Sequence, residues 1–144
     1  MLPNFNIVFP VEHKAFYRVL EQWRSKVLDD QDINNCVYVL KSSQKVPRVL
    51  NTDEDGILYI GKGLLTRNDE RIGKLINSVN SGTSKQHEAG GKYKRISNIY
   101  EIERLSLGII LVNELEQESR DVEKDLLIEY LNKFGELPPL NRQA

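Results

Sequence analysis

Two tyrosines and one glutamate are the residues of this 144-residue chain whose types and positions suit chemistry. Tyr59 lies in "ILYIGKG" (Ile57–Gly63), an apolar run that meets two glycines with a lysine between them. Tyr38 lies in "CVYVLK" (Cys36–Lys41). Both runs read as strands. Alternate strand residues share a face, which groups Cys36, Tyr38 and Leu40 on one strand and Ile57, Tyr59 and Gly61 on the other. If the strands pair, the two tyrosines are neighbours across the ladder. They then form either an aromatic core contact or the rim of a site. Gly61-Lys62-Gly63 leaves backbone bare beside a cation, where a ligand could approach.

Glu123 stands out by its helical position. At 100° per residue, Leu126, Leu127, Tyr130 and Phe134 all fall within about 60° of it. Asp121, Asp125 and Glu129 fall on the opposite side. A carboxylate on an apolar face is costly unless paired. Glu123 is therefore either half of a structural ion pair or a metal ligand or acid–base group.

The elements that must position these residues are legible in outline. Val11–Leu28 is an amphipathic helix, with Phe16, Val19, Leu20, Trp23 and Val27 at three- and four-residue steps. Trp23 reads as core and His13 as surface. Cys36–Lys41 and Ile57–Gly61 are strands, separated by a long turn region that ends at Asp55-Gly56. Thr66–Val79 is a helix, opened by a Thr66/Asp69 capping box and carrying Ile72, Leu75, Ile76 and Val79 inward. Lys92–Arg104 is a weaker helix, Leu105–Val112 a buried strand. Asn113 with Glu116 opens a last helix reaching about Phe134. The order implies an α/β (α+β) domain with a sheet of about three strands covered by helices. The division is an N-terminal helical extension, 1–34, and a domain, 35–144.

The net charge of −1 gives no global sign of nucleic-acid binding, but the charges are segregated. Residues 62–95 hold eight Lys/Arg against three acids, and residues 114–129 hold seven acids against two bases. One part suits an anion and the other a cation, or both are solvated helix faces. One cysteine, Cys36, rules out an internal disulfide and a multi-Cys zinc site, and points to a reducing, cytoplasmic setting. It reads as a packed thiol. No apolar run reaches the roughly 18 residues of a membrane span. The start of the chain lacks signal-peptide character.

Over Cys36–Asn141 these pieces resemble the GIY-YIG nuclease family. "CVY" (36–38) matches its first motif and "YIG" (59–61) its second. Arg71 matches its arginine, Glu123 in "VEKDLLIEYLNKFG" its glutamate helix, and Asn141 in "PPLN" its terminal asparagine. Two departures stand out. Cysteine replaces the first glycine. The arginine lies two residues further on than in compact members, which leaves Arg67 as an alternative. Arg71 is preferred, because it sits at the edge of its helix's apolar face.

The resemblance implies a three-stranded antiparallel sheet flanked by helices and hydrolysis of a DNA phosphodiester. It implies one divalent metal, Mg²⁺ or Mn²⁺, on Glu123, with Tyr38 as general base and Tyr59 orienting phosphate or water. Arg71 would stabilise phosphate charge, and Asn141 would brace the site. "HEAGGKYKR" (87–95) resembles a stretch in which a histidine assists; His87 is either that residue or a solvated loop histidine. Lys62 is a cation beside the tyrosines. Lys85, Lys92, Lys94 and Arg95 would contact phosphates if this segment faces DNA. DNA is the implied partner, no membrane is, and the N-terminal helix packs on the sheet or makes a homodimer. Two other readings remain: a non-catalytic module that binds DNA or protein, and a structural domain whose tyrosines and Glu123 only build the core.

Overall fold

In the computed structural model, residues 4–23, 35–65, 70–83, 85–112 and 118–141 are described. The central strands are the two most continuously apolar stretches, as expected of strands covered on both faces. They are β2 (Asn35–Ser42) and β6 (Leu105–Leu111), paired antiparallel with Tyr38 opposite Ile109. Outside β2 lies β5 (Ile57–Leu64), and outside β6 lies β1 (Ile7–Pro10), both antiparallel. The sheet order is β1-β6-β2-β5.

The sheet thus has four strands rather than the expected three. The extra one comes from the N-terminal extension, where Ile7-Val8-Phe9 is too short to announce a strand and ends at a proline. A second feature was also hidden in the presumed turn region. There β3 (Val46–Pro47) and β4 (Thr52–Asp53) form a small separate hairpin.

Helices cover both faces. On one side pack α1 (His13–Trp23), α2 (Glu70–Ser81) and α3 (Ala89–Ile99). Phe16, Val19 and Leu20 of α1 and the expected stripe Ile72, Leu75, Ile76 and Val79 of α2 are buried there with Tyr38, Leu40, Leu107 and Ile109. On the other side α4 (Ser119–Phe134) sets Val122, Leu126, Leu127, Tyr130 and Phe134 against Val37, Val39, Ile60 and Ile110. It ends at Gly135, whose positive φ of 78° closes the last turn on the Leu131 carbonyl. The weaker helix starts and ends earlier than the sequence suggested, at 89–99. The proposed caps at Thr66/Asp69 and Asn113/Glu116, Val27 and the Trp23 side chain lie outside the described residues.

One register detail changes the faces. The pairing of β2 with β5 shifts between Leu40 and Lys41, so Leu40 faces Tyr59 while Lys41 faces Ile57. Leu58 is the extra residue of this bulge. Ile57 therefore joins the α4 side, whereas Tyr59 stays with Tyr38 on the other. The expected Ile57/Tyr59/Gly61 face does not exist as such.

His13, read as a surface residue, is partly buried and bonds Asn77 of α2. No helix among the described residues is long and apolar enough to cross a membrane.

Candidate active site

The site forms where β2 and the edge strand β5 meet the first turn of α2, the loop before α3 and the N-terminal half of α4. Tyr38 and Tyr59 are diagonal neighbours across the ladder, ring centroids 6.0 Å apart. Gly61 lies opposite Tyr38, and the tyrosines explain it. A Cβ there would sit 2.7 Å from the Tyr38 hydroxyl and 2.7 Å from Cε1 of Tyr59. The bare backbone that looked open to a ligand is filled by the two phenols.

The phenols differ in environment. Tyr38 is 1% exposed, and burial, more than any neighbour, raises its pKa well above the ordinary tyrosine value. The two hydroxyls hydrogen-bond each other, a contact that raises the pKa of Tyr38 further and eases ionisation of Tyr59. Tyr59 is half-buried. Burial raises its pKa too, followed by the carboxylates of Glu88 and Glu123. Arg71 opposes these effects at both phenols.

Arg71, in the first turn of α2, donates from Nη1 to the Lys62 carbonyl of β5 at 3.1 Å. That bond holds the guanidinium at the sheet edge and leaves much of it exposed. Glu123 lies just past the first turn of α4 and is half-buried, whereas Val122, Leu126 and Leu127 around it are buried. The helical wheel placed it at the centre of the core face, but this end of the helix lies where solvent still reaches. Burial raises its pKa, and Lys62 and then Arg71 pull it back.

His87 stands edge-on to Tyr59, centroids 5.2 Å apart and planes at 85°. Its Nδ1 accepts from the Ala89 backbone N–H at 3.1 Å, capping the start of α3. A neutral ring so engaged carries its proton on Nε2, so His87 faces its surroundings as a donor. Burial lowers its pKa, favouring that neutral form.

Asn141 braces β5 from its free edge. Its side chain accepts from Ile60 N–H at 3.0 Å and donates to Ile60 C=O at 2.9 Å, while Leu140 N–H donates to Leu58 C=O. It acts as a one-residue strand against an otherwise open edge.

Lys85, Lys94 and Arg95 are exposed and Lys92 is partly so. Lys94 lies over Gly82 at the end of α2, and Lys92 and Arg95 are on the same helix, α3. Arg67 lies outside the described residues. Cys36 is fully buried, as a packed thiol would be.

One neighbour went unnoticed in the sequence. Glu88 faces Tyr59 and His87 electrostatically, yet it follows His87 in a loop and no periodicity marks it. An open cleft of about 900 Å³ at the opposite end of the sheet, lined by Phe9, Lys41, Tyr93 and Arg104 among others, contains none of these residues.

No protein-family model matches the chain, and no curated protein or solved structure matches it either. The family resemblance therefore rests on the sequence motifs alone.

Proposed function

We propose that this protein is a GIY-YIG-type endonuclease that hydrolyses DNA phosphodiesters with Mg²⁺ or Mn²⁺. One observation carries the reading. Residues spread over 85 positions of sequence, from Tyr38 to Glu123, meet at one end of the sheet, and Asn141 fixes the strand between them. A purely structural domain has no need to gather two phenols, a guanidinium, an imidazole and a half-exposed carboxylate there.

The chemistry follows from the environments. Arg71 and Lys62 bind the phosphate, and the planar guanidinium stabilises the charge that grows on its oxygens. The attacking water must lose a proton. Tyr38 is sealed from water, so Tyr59 is the phenol that can receive it, with Tyr38 donating a hydrogen bond to steady the phenolate. The resemblance gives the base role to Tyr38; burial argues for this exchange of roles. His87 donates from Nε2 to a phosphate or leaving oxygen.

Among the described residues no three His, Cys, Asp or Glu side chains cluster to cage an ion. The donor set at the site is Glu123, a hard oxygen ligand open to water, which fits Mg²⁺ with most of its waters retained. When bound, such an ion supplies positive charge to the reacting phosphate.

The test is nicking of supercoiled plasmid with Mg²⁺ or Mn²⁺ against EDTA. Glu123→Ala and Tyr38→Phe are run beside the wild type, with folding checked by circular dichroism. The expected result is metal-dependent nicking that Glu123→Ala abolishes and Tyr38→Phe strongly reduces. Cleavage indifferent to Glu123 in a folded variant would overturn the reading.

A further inference from the structure

The N-terminal segment lies outside the resemblance, yet it reaches the site through a chain of side-chain hydrogen bonds. His13 of α1 bonds through Nε2 to Oδ1 of Asn77 in α2. Since Oδ1 only accepts, Nε2 carries the proton. Asn77 Nδ2 then donates to Oε1 of Gln86 at 3.0 Å. Gln86 is the residue before His87, whose ring stands against Tyr59.

Other contacts narrow the freedom of this loop. Gly90 lets α3 close onto the end of α2, since a Cβ there would lie 2.0 Å from the Thr83 carbonyl oxygen and 2.4 Å from that of Ser78. Asn80 Nδ2 donates to the Val11 carbonyl, a second tie between α2 and the N-terminal segment. The other nitrogen of His13, Nδ1, is buried without a hydrogen-bond partner among the described residues, so Nε2 alone sets the ring's polar contact. The His13 ring also lies beside Tyr17, centroids 5.9 Å apart.

We propose that His13, Asn77 and Gln86 form a positioning relay that sets His87 against Tyr59, making the N-terminal segment a working part of the site. This rests on the nuclease reading for its catalytic consequence but not for its structural one. Without the relay, His87 keeps its Nδ1 bond to the Ala89 backbone, but the neighbouring Gln86 loses its side-chain tie to Asn77 of α2. His87 then samples orientations in which Nε2–H no longer faces the reacting phosphate. A misplacement near 1 Å can cost up to about 10²-fold in rate.

The test uses the full chain and two readouts. The first is the ring-proton resonances of His87 in aromatic ¹H–¹³C spectra, which the Tyr59 ring displaces. The second is the plasmid-nicking rate and its substrate dependence. His13→Phe keeps an aromatic ring over Tyr17 but removes Nε2–H; Gln86→Met removes Oε1 at similar volume. Tyr17→Leu removes the stack and leaves the relay.

The expected result is that His13→Phe and Gln86→Met both move the His87 resonances toward those of a free histidine. Both lower the turnover rate about 10-fold or more with KM little changed. Tyr17→Leu does neither. Unmoved His87 resonances in both relay variants would overturn the relay, whatever the activity. Moved resonances with wild-type turnover would overturn its catalytic role. If the wild type cleaves nothing, the nuclease reading fails, and the spectra still decide the relay.

Discussion

At the scale of single residues, the proposed role of Glu123 sets function against stability. Burial holds its carboxyl pKa up against Lys62 and Arg71. The folded state thus binds that proton more tightly than the unfolded chain does. Ionisation therefore costs stability, a cost absent at low pH that grows as pH rises through the carboxylate range and is complete above the folded pKa. Glu123→Gln removes it at neutral pH. The expected outcome is loss of cleavage by about 10²- to 10³-fold with a melting temperature equal to or slightly above wild type. The side chain is half-open, so solvent screening keeps the gain under about 1 kcal/mol. Calorimetry beside the nicking assay checks both; a clear drop in melting temperature would instead mark Glu123 as a structural ion-pair member. The tyrosines make a separate prediction about pH. A base must be deprotonated to act, and Tyr59 is held above the ordinary tyrosine value. Cleavage should climb about tenfold per pH unit through neutral and into alkaline pH. A plateau near pH 7 in the rate profile would point to an ordinary histidine base and remove Tyr59 from that role.

At the scale of elements, the β3–β4 hairpin does work that the site depends on. Asp53 is fully buried, and its Oδ2 accepts from Tyr130 Oη at 2.8 Å and from Ile57 N–H at 3.0 Å, while Oδ1 accepts from Asp55 N–H. Arg48 reaches Glu136 and the Leu137 carbonyl, and Leu50 N–H donates to the Phe134 carbonyl. The hairpin thus clasps the C-terminal end of α4, the helix that carries Glu123, and the segment that leads on to Asn141. Asp53→Ala leaves the Tyr130 hydroxyl and Ile57 N–H buried without an acceptor, which costs about 3 kcal/mol or more. Tyr130→Phe removes one bond and costs about 1–2 kcal/mol. Denaturant titrations of both and of the double variant measure the coupling; strictly additive losses would mean that the two groups do not act on each other. None of this clasp was legible in the sequence, because a two-residue strand carries no periodicity and Asp53 reads like any polar turn residue. The same limit hid β1 and the Leu58 bulge. By contrast, the α2 stripe and the β2 and β6 runs were plain, since burial on a regular period repeats its signal over many residues. At the site, Tyr38, Tyr59, Arg71 and Glu123 could be named from short motifs. Which phenol water reaches could not, because the helices packed over β2 decide it.

At the scale of the whole molecule, the proposed function requires a chain of net charge −1 to bind DNA through a local field rather than a global one. Its cations are placed for that. Lys62 and Arg71 stand at the site, Lys85 lies in the loop beside it, and Lys92, Lys94 and Arg95 follow on α3, which starts from the same loop. If all six meet phosphates of a duplex, each displaces counterions, and the logarithm of the binding constant falls against that of salt concentration with a slope of about −0.9 per contact. A slope near −5 is expected for the wild type, measured by fluorescence anisotropy with a labelled duplex in EDTA so that no cleavage intervenes. Replacing Lys92, Lys94 and Arg95 together by Ala should flatten the slope by about 3 and weaken binding at low salt far more than at high salt. The same triple variant should lose little melting temperature, because Lys94 and Arg95 are exposed and Lys92 partly so, while Tyr93 and Ile96 pack against the core. An unchanged slope would show that the duplex does not run along α3. The cations at the site would then hold the scissile phosphate alone, and the flanking duplex would have to lie over another face of the molecule.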